Sequence, residues 1–150
     1  MAHNQYNIVH FVFDIFQEAK CPMMFLHCTS AYPSALEDKN LQCIPIMQSM
    51  FNMDIGFSGH GVGDEGTLGA VALGANVIEK HFTLDSSRIG MDNKMATEPE
   101  EMQAMIRACH RVHESNGGIG RVLGSEEQSQ ISKMRRSMVT KKSSSTCPPT

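Results

Sequence analysis

The chain has 150 residues, 41% of them hydrophobic, with a formal net charge of −3 and no Trp. That length and apolar content suit one compact domain or a piece of a larger one, and the near-neutral charge excludes a global field that would draw the chain to nucleic acid or an anionic membrane. No apolar run reaches the ~18 residues of a membrane span, and the opening Met-Ala-His-Asn-Gln has no basic segment leading into an apolar one, so no signal peptide is expected.

Residues 5–19 are expected to form a helix, with Val9, Phe13 and Phe16 on one face and Val12 and Ile15 beside them. Cys21-Pro22 ends it, because the residue before a proline avoids the helical region. Three short apolar runs with strand-like bounds follow: Met23–Ser30, Ile55–Ser58 and Val77–Thr83. Helical patterns separate them. Asn40–Met53 places Leu41, Ile44, Met47 and Met50 on a face. Pro45 lies inside it, where a regular helix loses about 3 kcal/mol, so a kink or a late start is expected. Thr67–Ala75 spaces Leu68, Val71, Ala72 and Ala75 for packing on a sheet. A further helix starts near Thr97 as N-cap, with acidic residues in its first turn. Met102, Met105, Ile106, Cys109 and Val112 form its buried face, and Asn116-Gly117-Gly118 stops it.

This alternation predicts an α/β fold of parallel βα units. The expected organisation is an N-terminal helix over 1–22, the βα units over 23–124, a linker-like basic segment over 125–142 with a short helix at 126–134, and a low-complexity, disordered tail over 143–150.

Polar side chains gather at the C-terminal ends of the three strands, where ligands bind in parallel α/β folds. Ser30 and Tyr32 leave the first strand, Ser58 and His60 leave the second, and Glu79 and His81 lie in the third. Each pair is spaced i, i+2 and so faces one side. Two imidazoles and a carboxylate from adjacent strands suit a divalent cation such as Mn²⁺, Zn²⁺ or Fe²⁺. The bland alternative for each His is a hydrogen-bonded surface ring. Ionisable groups in the run Glu79-Lys80-His81 weigh against it, because charge in a buried strand is expensive unless paired or bound.

Glycines at 56, 59, 61, 63, 66 and 69 surround the second strand. The helix after Gly63 would present free N–H groups to an anion, or the glycines make an ordinary flexible loop. The loop 85–96 is long for a βα connection. Its Asp92 and Asn93 suit sugar hydroxyls, or ordinary turn chemistry. His110, His113 and the cluster Lys133, Arg135, Arg136 read as solvated faces. The five cysteines (Cys21, Cys28, Cys43, Cys109, Cys147) form no CxxC pair, which argues against a zinc ribbon or thioredoxin-type site. They are expected to be mostly buried free thiols in a reducing cytoplasm.

Five stretches in order carry a resemblance: Leu26-His-Cys-Thr-Ser-Ala-Tyr-Pro33, Gly56-Phe-Ser-Gly-His60, Gly69-Ala-Val-Ala-Leu-Gly-Ala75, Val77-Ile-Glu-Lys-His-Phe-Thr-Leu-Asp85 and Gly90-Met-Asp-Asn93, followed by Glu98-Pro99. Over roughly residues 23–142 the chain resembles the sialic acid (N-acetylneuraminate) synthase family. The resemblance implies the last three strands of a TIM (β/α)₈-type barrel, incomplete in this chain. It also implies metal-dependent condensation of phosphoenolpyruvate with an N-acetylmannosamine-type amino sugar, releasing phosphate. By it, His60 and His81 hold the cation, usually Mn²⁺, with Mg²⁺ or Co²⁺ as substitutes. Ser30 and Ser58 lie by the phosphate and carboxylate of phosphoenolpyruvate. Tyr32, Glu79 and Asp92 contact the sugar or the attacking water, and Asn93 stands where many members carry His. A cytoplasmic homodimer is expected for a full-length relative, with little or no activity for this chain alone. Two rival readings are another two-His metal-dependent aldolase or hydrolase, and an inactive chain acting as an interaction module.

Overall fold

The computed structural model describes residues 3–118 and 120–136, with side chains from residue 7 onward. The expected tail over 143–150, the end of the linker-like segment and Cys147 lie outside the described residues. Two units are present, one up to Gly117 and one from Gly118.

The first unit runs α1 (His3–Glu18), β1 (Phe25–Cys28), α2 (Cys43–Phe51), β2 (Ile55–Gly59), α3 (Glu65–Ala72), β3 (Ile78–Lys80), a short 3₁₀ turn (Asn93–Met95) and α4 (Pro99–Asn116). The strands make one parallel sheet in the order β1-β2-β3. The alternation of hydrophobic period in the sequence thus becomes a run of βα units, as expected. The strands are shorter than the apolar runs that contain them. His81, read as part of the third strand, lies one residue beyond β3.

Central β2 is buried along its whole length. The core is Ile44 from α2, Ile55 and Phe57 from β2, Ala70 from α3 and Ala75, with Phe25, Leu41, Met47, Met53 and Ile78 packed on it. The opposite parity of β2, Gly56 and Ser58, pairs with Leu26 and Glu79 of the neighbouring strands. A Cβ on Gly56 would come within 2.9 Å of Leu26 Cγ and of the Val77 carbonyl oxygen. Only a glycine lets the three strands close up there.

Pro45 has the effect its chemistry demands: α2 begins only at Cys43, so the proline occupies the first turn, where its missing N–H has no partner to lose. Asn52 ends α2 in the left-handed region at φ 48°. α3 starts two residues before the expected Thr67 and stops at Ala72. Ala70, Thr67 and Val71 are its buried side chains, whereas Ala72 is exposed. The sequence spacing placed Ala72 on the packed face; the actual turn of the helix carries it outward.

α4 is capped one residue later than expected. Glu98, not Thr97, is the N-cap, and Glu98 with Glu101 makes a capping box. On the expected buried face Met105 is buried and Met102, Cys109 and Val112 are half-buried, but Ile106 is exposed. Gly117, at φ 63°, terminates the helix. Helix α1 lays Phe13 against Phe25 and Phe51, with ring centroids 6.4 and 5.3 Å apart, while Phe16 and Ile15 remain exposed. The expectation of buried cysteines fails: Cys21 and Cys28 are exposed, and Cys43 and Cys109 half-buried. Cys28, Cys43 and Cys109 lie within β1, α2 and α4 but outside the core cluster, and Cys21 lies between α1 and β1.

In the second unit, α5 spans Ser125–Met134, close to the short helix expected there, and carries no buried side chain.

Candidate active site

The C-terminal ends of β2 and β3 bring four candidate side chains into one hydrogen-bonded chain. Ser58, 6% exposed, lies directly opposite Glu79 in the strand register. Its hydroxyl donates to Glu79 Oε1 at 2.6 Å. The same oxygen lies 3.0 Å from His60 Nε2. A hydroxyl has one proton. With that proton on the Glu79 carboxylate, Ser58 Oγ can only accept from His60, so the His60 proton resides on Nε2. His60 Nδ1 is therefore bare, and it faces His81 Nε2 at 3.1 Å.

Two arrangements satisfy that last distance. His81 Nε2–H donates to His60 Nδ1, or both nitrogens are bare and share a cation. Metal–imidazole bonds of about 2.0–2.1 Å separate two adjacent ligand nitrogens by about 3 Å, so the spacing suits a shared divalent ion. Burial, and then the neighbouring His81, hold His60 below the ordinary imidazole value against the opposing pull of Glu79 and Asp92. This favours the neutral ring that ligation requires. Among the described residues no group of three or more His, Cys, Asp or Glu converges to hold a metal ion. The two imidazoles thus leave most of a coordination shell open to water or substrate.

Backbone bonds fix both rings. The His81 carbonyl accepts from Thr97 N–H at 2.8 Å, and Thr83 N–H donates to the Thr97 carbonyl at 3.1 Å. The start of α4 is thereby tied to the end of β3. The His60 carbonyl accepts from Ser34 N–H at 2.9 Å, joining the loop after β1 to the loop after β2. That first loop carries Tyr32, at a cis peptide with Pro33. The Tyr32 ring meets the edge of His60 with centroids 4.4 Å apart, and His81 at 6.1 Å. Asp92 Oδ2 lies 3.9 Å from His81 Nδ1, too far for a hydrogen bond but close enough to orient a protonated or ligating ring.

Ser30 and Asn93 stand apart from this chain of contacts. Ser30 is exposed beyond the end of β1. Asn93 spends its amide on its own loop, Nδ2 donating to the Arg88 carbonyl at 3.2 Å. The glycine-rich helix start offers no free anion cradle, since Glu65 in the first turn of α3 folds its carboxylate over Gly63. His110 and His113 are exposed, as expected.

The imidazoles, Ser58, Glu79 and Lys80 line a small pocket of about 120 Å³. A larger depression, about 490 Å³, has Lys80, Ser86, Lys94, Thr97, Glu101 and Met105 among its walls. It contains no imidazole.

Three residues that support the site escape the sequence candidates: His27, Ser34 and Lys39. His27 Nε2–H donates to the Lys39 carbonyl at 2.7 Å, and Lys39 Nζ donates to Ser34 Oγ at 3.1 Å. A lysine in the polar run Glu37-Asp38-Lys39-Asn40 carries no local sign of burial. The trace it leaves is remote, in the glycines at 61 and 66.

A sequence profile of the NeuB family matches residues 3–121. The N,N'-diacetyllegionaminic acid synthase of Campylobacter jejuni is 38% identical over 117 residues, 78% of this chain and 35% of that protein. The N-acetylneuraminate-9-phosphate synthase of Homo sapiens is 37% identical over 131 residues, 87% of this chain and 36% of that protein. A crystal structure of N-acetylneuraminic acid synthetase from Leptospira borgpetersenii serovar Hardjo-bovis superposes with a TM-score of 0.79 at 33% identity, over 86% of this chain and 46% of that one. The chain spans about a third of the length of these curated relatives.

Proposed function

Since this chain belongs to the NeuB family, we propose that it carries the metal-binding sector of a synthase. That enzyme condenses phosphoenolpyruvate with an N-acetylmannosamine-type sugar and releases phosphate. In this reading β1, β2 and β3 are an arc of a (β/α)₈ barrel, whose active site lies at the C-terminal strand ends. Three strands cannot close such a barrel, so the chain alone should turn over little or no substrate. The full-length enzyme is read as a cytoplasmic homodimer. No described helix of this chain is long and apolar enough to cross a membrane.

The observation that carries the reading is the meeting of His60 Nδ1 and His81 Nε2 at 3.1 Å, with Glu79 held beside them through Ser58. A divalent cation held by the two rings, Mn²⁺ before Mg²⁺ or Co²⁺, would supply Lewis-acid polarisation of a sugar aldehyde oxygen. The rest falls to the protein. C3 of phosphoenolpyruvate attacks the aldehyde carbon, leaving positive charge at C2. Water adds at C2 as Glu79 accepts its proton, and the former aldehyde oxygen takes up a proton to become a hydroxyl. The C2–O bond to phosphate then breaks as the new C2 hydroxyl gives up its proton, leaving the C2 ketone and inorganic phosphate. Ser58 holds the carboxylate of Glu79 in line, and can serve the phosphate only by turning its proton away from Glu79. Tyr32, against His60, and Asp92, near His81, are the side chains in reach of the sugar. Ser30 and Asn93 are the outer substrate contacts.

The test is Mn²⁺-dependent phosphate release from phosphoenolpyruvate and N-acetylmannosamine by a full-length relative carrying residues 23–124 of this chain in place of its own. Removing a general base lowers turnover on the order of 10²–10⁴-fold, which is the effect expected for Glu79→Gln. Turnover near the parent value would overturn the assignment. Phosphate release without the sugar would overturn the condensation.

A further inference from the structure

Lys39 is a buried lysine. It is 5% exposed, and none of the ion pairs among the described residues includes it. Its ammonium donates to the hydroxyl of Ser34, itself 8% exposed, at 3.1 Å. Its backbone carbonyl is held by His27 at 2.7 Å. The side chain lies along Gly61 and Gly66. A Cβ on Gly61 would collide with Lys39 Nζ, and one on Gly66 would stand 2.6 Å from Lys39 Cδ. Two glycines from the β2–α3 segment therefore make room for one lysine from the β1–α2 segment. A second ammonium crowds the same turn: Lys80 Nζ donates to the Gly61 carbonyl at 2.9 Å, and burial, then Lys39, hold Lys80 below the ordinary lysine value.

Such an arrangement is a poor source of stability. Burying an ammonium without a carboxylate is unfavourable, and replacing buried charge by an apolar group of similar volume is often neutral or stabilising. What the lysine does contribute is registry. Ser34, which takes the ammonium's hydrogen bond through its side chain, gives its N–H to the carbonyl of His60. Two residues before Ser34 in the chain is Tyr32, whose ring packs on His60.

We infer that Lys39 is a positioning residue, a latch that holds the segment carrying Tyr32 against the segment carrying His60. The consequence for turnover rests on the synthase reading; the latch itself does not. The glycines at 61 and 66 are its structural counterpart.

The experiment is the nuclear Overhauser effect between the Tyr32 and His60 rings in the full chain, which has only two tyrosines. It is read for the parent, Lys39→Met and Ser34→Ala, with circular dichroism reporting the fold. It needs no metal or substrate, so its failure is separate from failure of the synthase reading. Losing one net hydrogen bond shifts a closed segment toward open by about fivefold. Both variants should stay folded, with the cross-peak weakened accordingly and Lys39→Met no less heat-stable than the parent. A cross-peak at parental strength in the two folded variants would overturn the inference. So would collapse of the fold in Lys39→Met, which would make the lysine a structural residue only.

Discussion

Ser58 donates its hydroxyl to Glu79 Oε1 at 2.6 Å, across the register pair where β2 and β3 stand directly opposite each other. The bond looks like a detail of strand pairing, yet it sets the protonation of the whole cluster. Because the serine proton is committed to Glu79, His60 must donate from Nε2, and its Nδ1 is left for His81 or a cation.

Ser58→Ala should therefore weaken cation binding without touching either ring. Loss of an outer-shell partner of a ligating histidine typically costs 10–100-fold in metal affinity, and a loss within about that range is expected for Mn²⁺ by calorimetric titration. Ser58→Thr, which keeps the hydroxyl, should retain most of the affinity. An unchanged affinity in Ser58→Ala would show that the serine does not orient His60.

Gly56→Ala should destabilise the first unit. The added methyl would meet Leu26 Cγ and the Val77 carbonyl oxygen at 2.9 Å, and overpacking of this kind costs about 1–3 kcal/mol. Urea denaturation followed by circular dichroism should show a lower midpoint with an unchanged slope.

Ile44, 0% exposed at the centre of the core, supplies the complementary case. Ile44→Ala should cost about 2–5 kcal/mol, through lost transfer energy and the cavity left behind. The same urea titration measures it, and a loss below that of Gly56→Ala would argue against this packing.

The cap of α4 gives a pH dependence. Glu98 Oε1 accepts from the Ser86 N–H at 2.8 Å and from the Ser86 hydroxyl at 2.7 Å, and these bonds hold its carboxyl below the ordinary glutamate value. A carboxyl depressed by folding contributes stability that is present above its unfolded pKa and is lost as pH falls through its folded pKa. Ser86→Ala removes the hydroxyl bond and should raise the Glu98 pKa toward the ordinary value, seen by NMR titration of the carboxyl carbon. It should also shrink the total acid loss of stability, which begins at the same pH, set by the unfolded carboxyl, but is complete at a higher one.

The parallel βα order and the pairing of His60 with His81 were legible because both follow from short-range rules. Strand parity places i, i+2 residues on one side, and parallel strands bring their C-terminal ends together. Pro45 announced the late start of α2 for a similarly local reason. Other features needed tertiary context. Ala72 points outward because α3 packs on the sheet through Thr67, Ala70 and Val71, a face that the apolar spacing alone did not single out. Glu98 rather than Thr97 caps α4 because its carboxylate is held by Ser86, twelve residues away. Asn93 donates its Nδ2 to the Arg88 carbonyl of its own loop, a contact its residue type alone did not announce. Lys39 was invisible, since a lysine among polar neighbours gives no hint that remote glycines will enclose it.

The central claim is that His60 and His81 share one divalent cation. Calorimetric titration of the full chain with Mn²⁺ tests it most directly, alongside His60→Ala and His81→Ala. One equivalent should bind to the parent, and either substitution alone should abolish binding while circular dichroism stays unchanged. Binding that survives in both variants, or no binding to the folded parent, would contradict it.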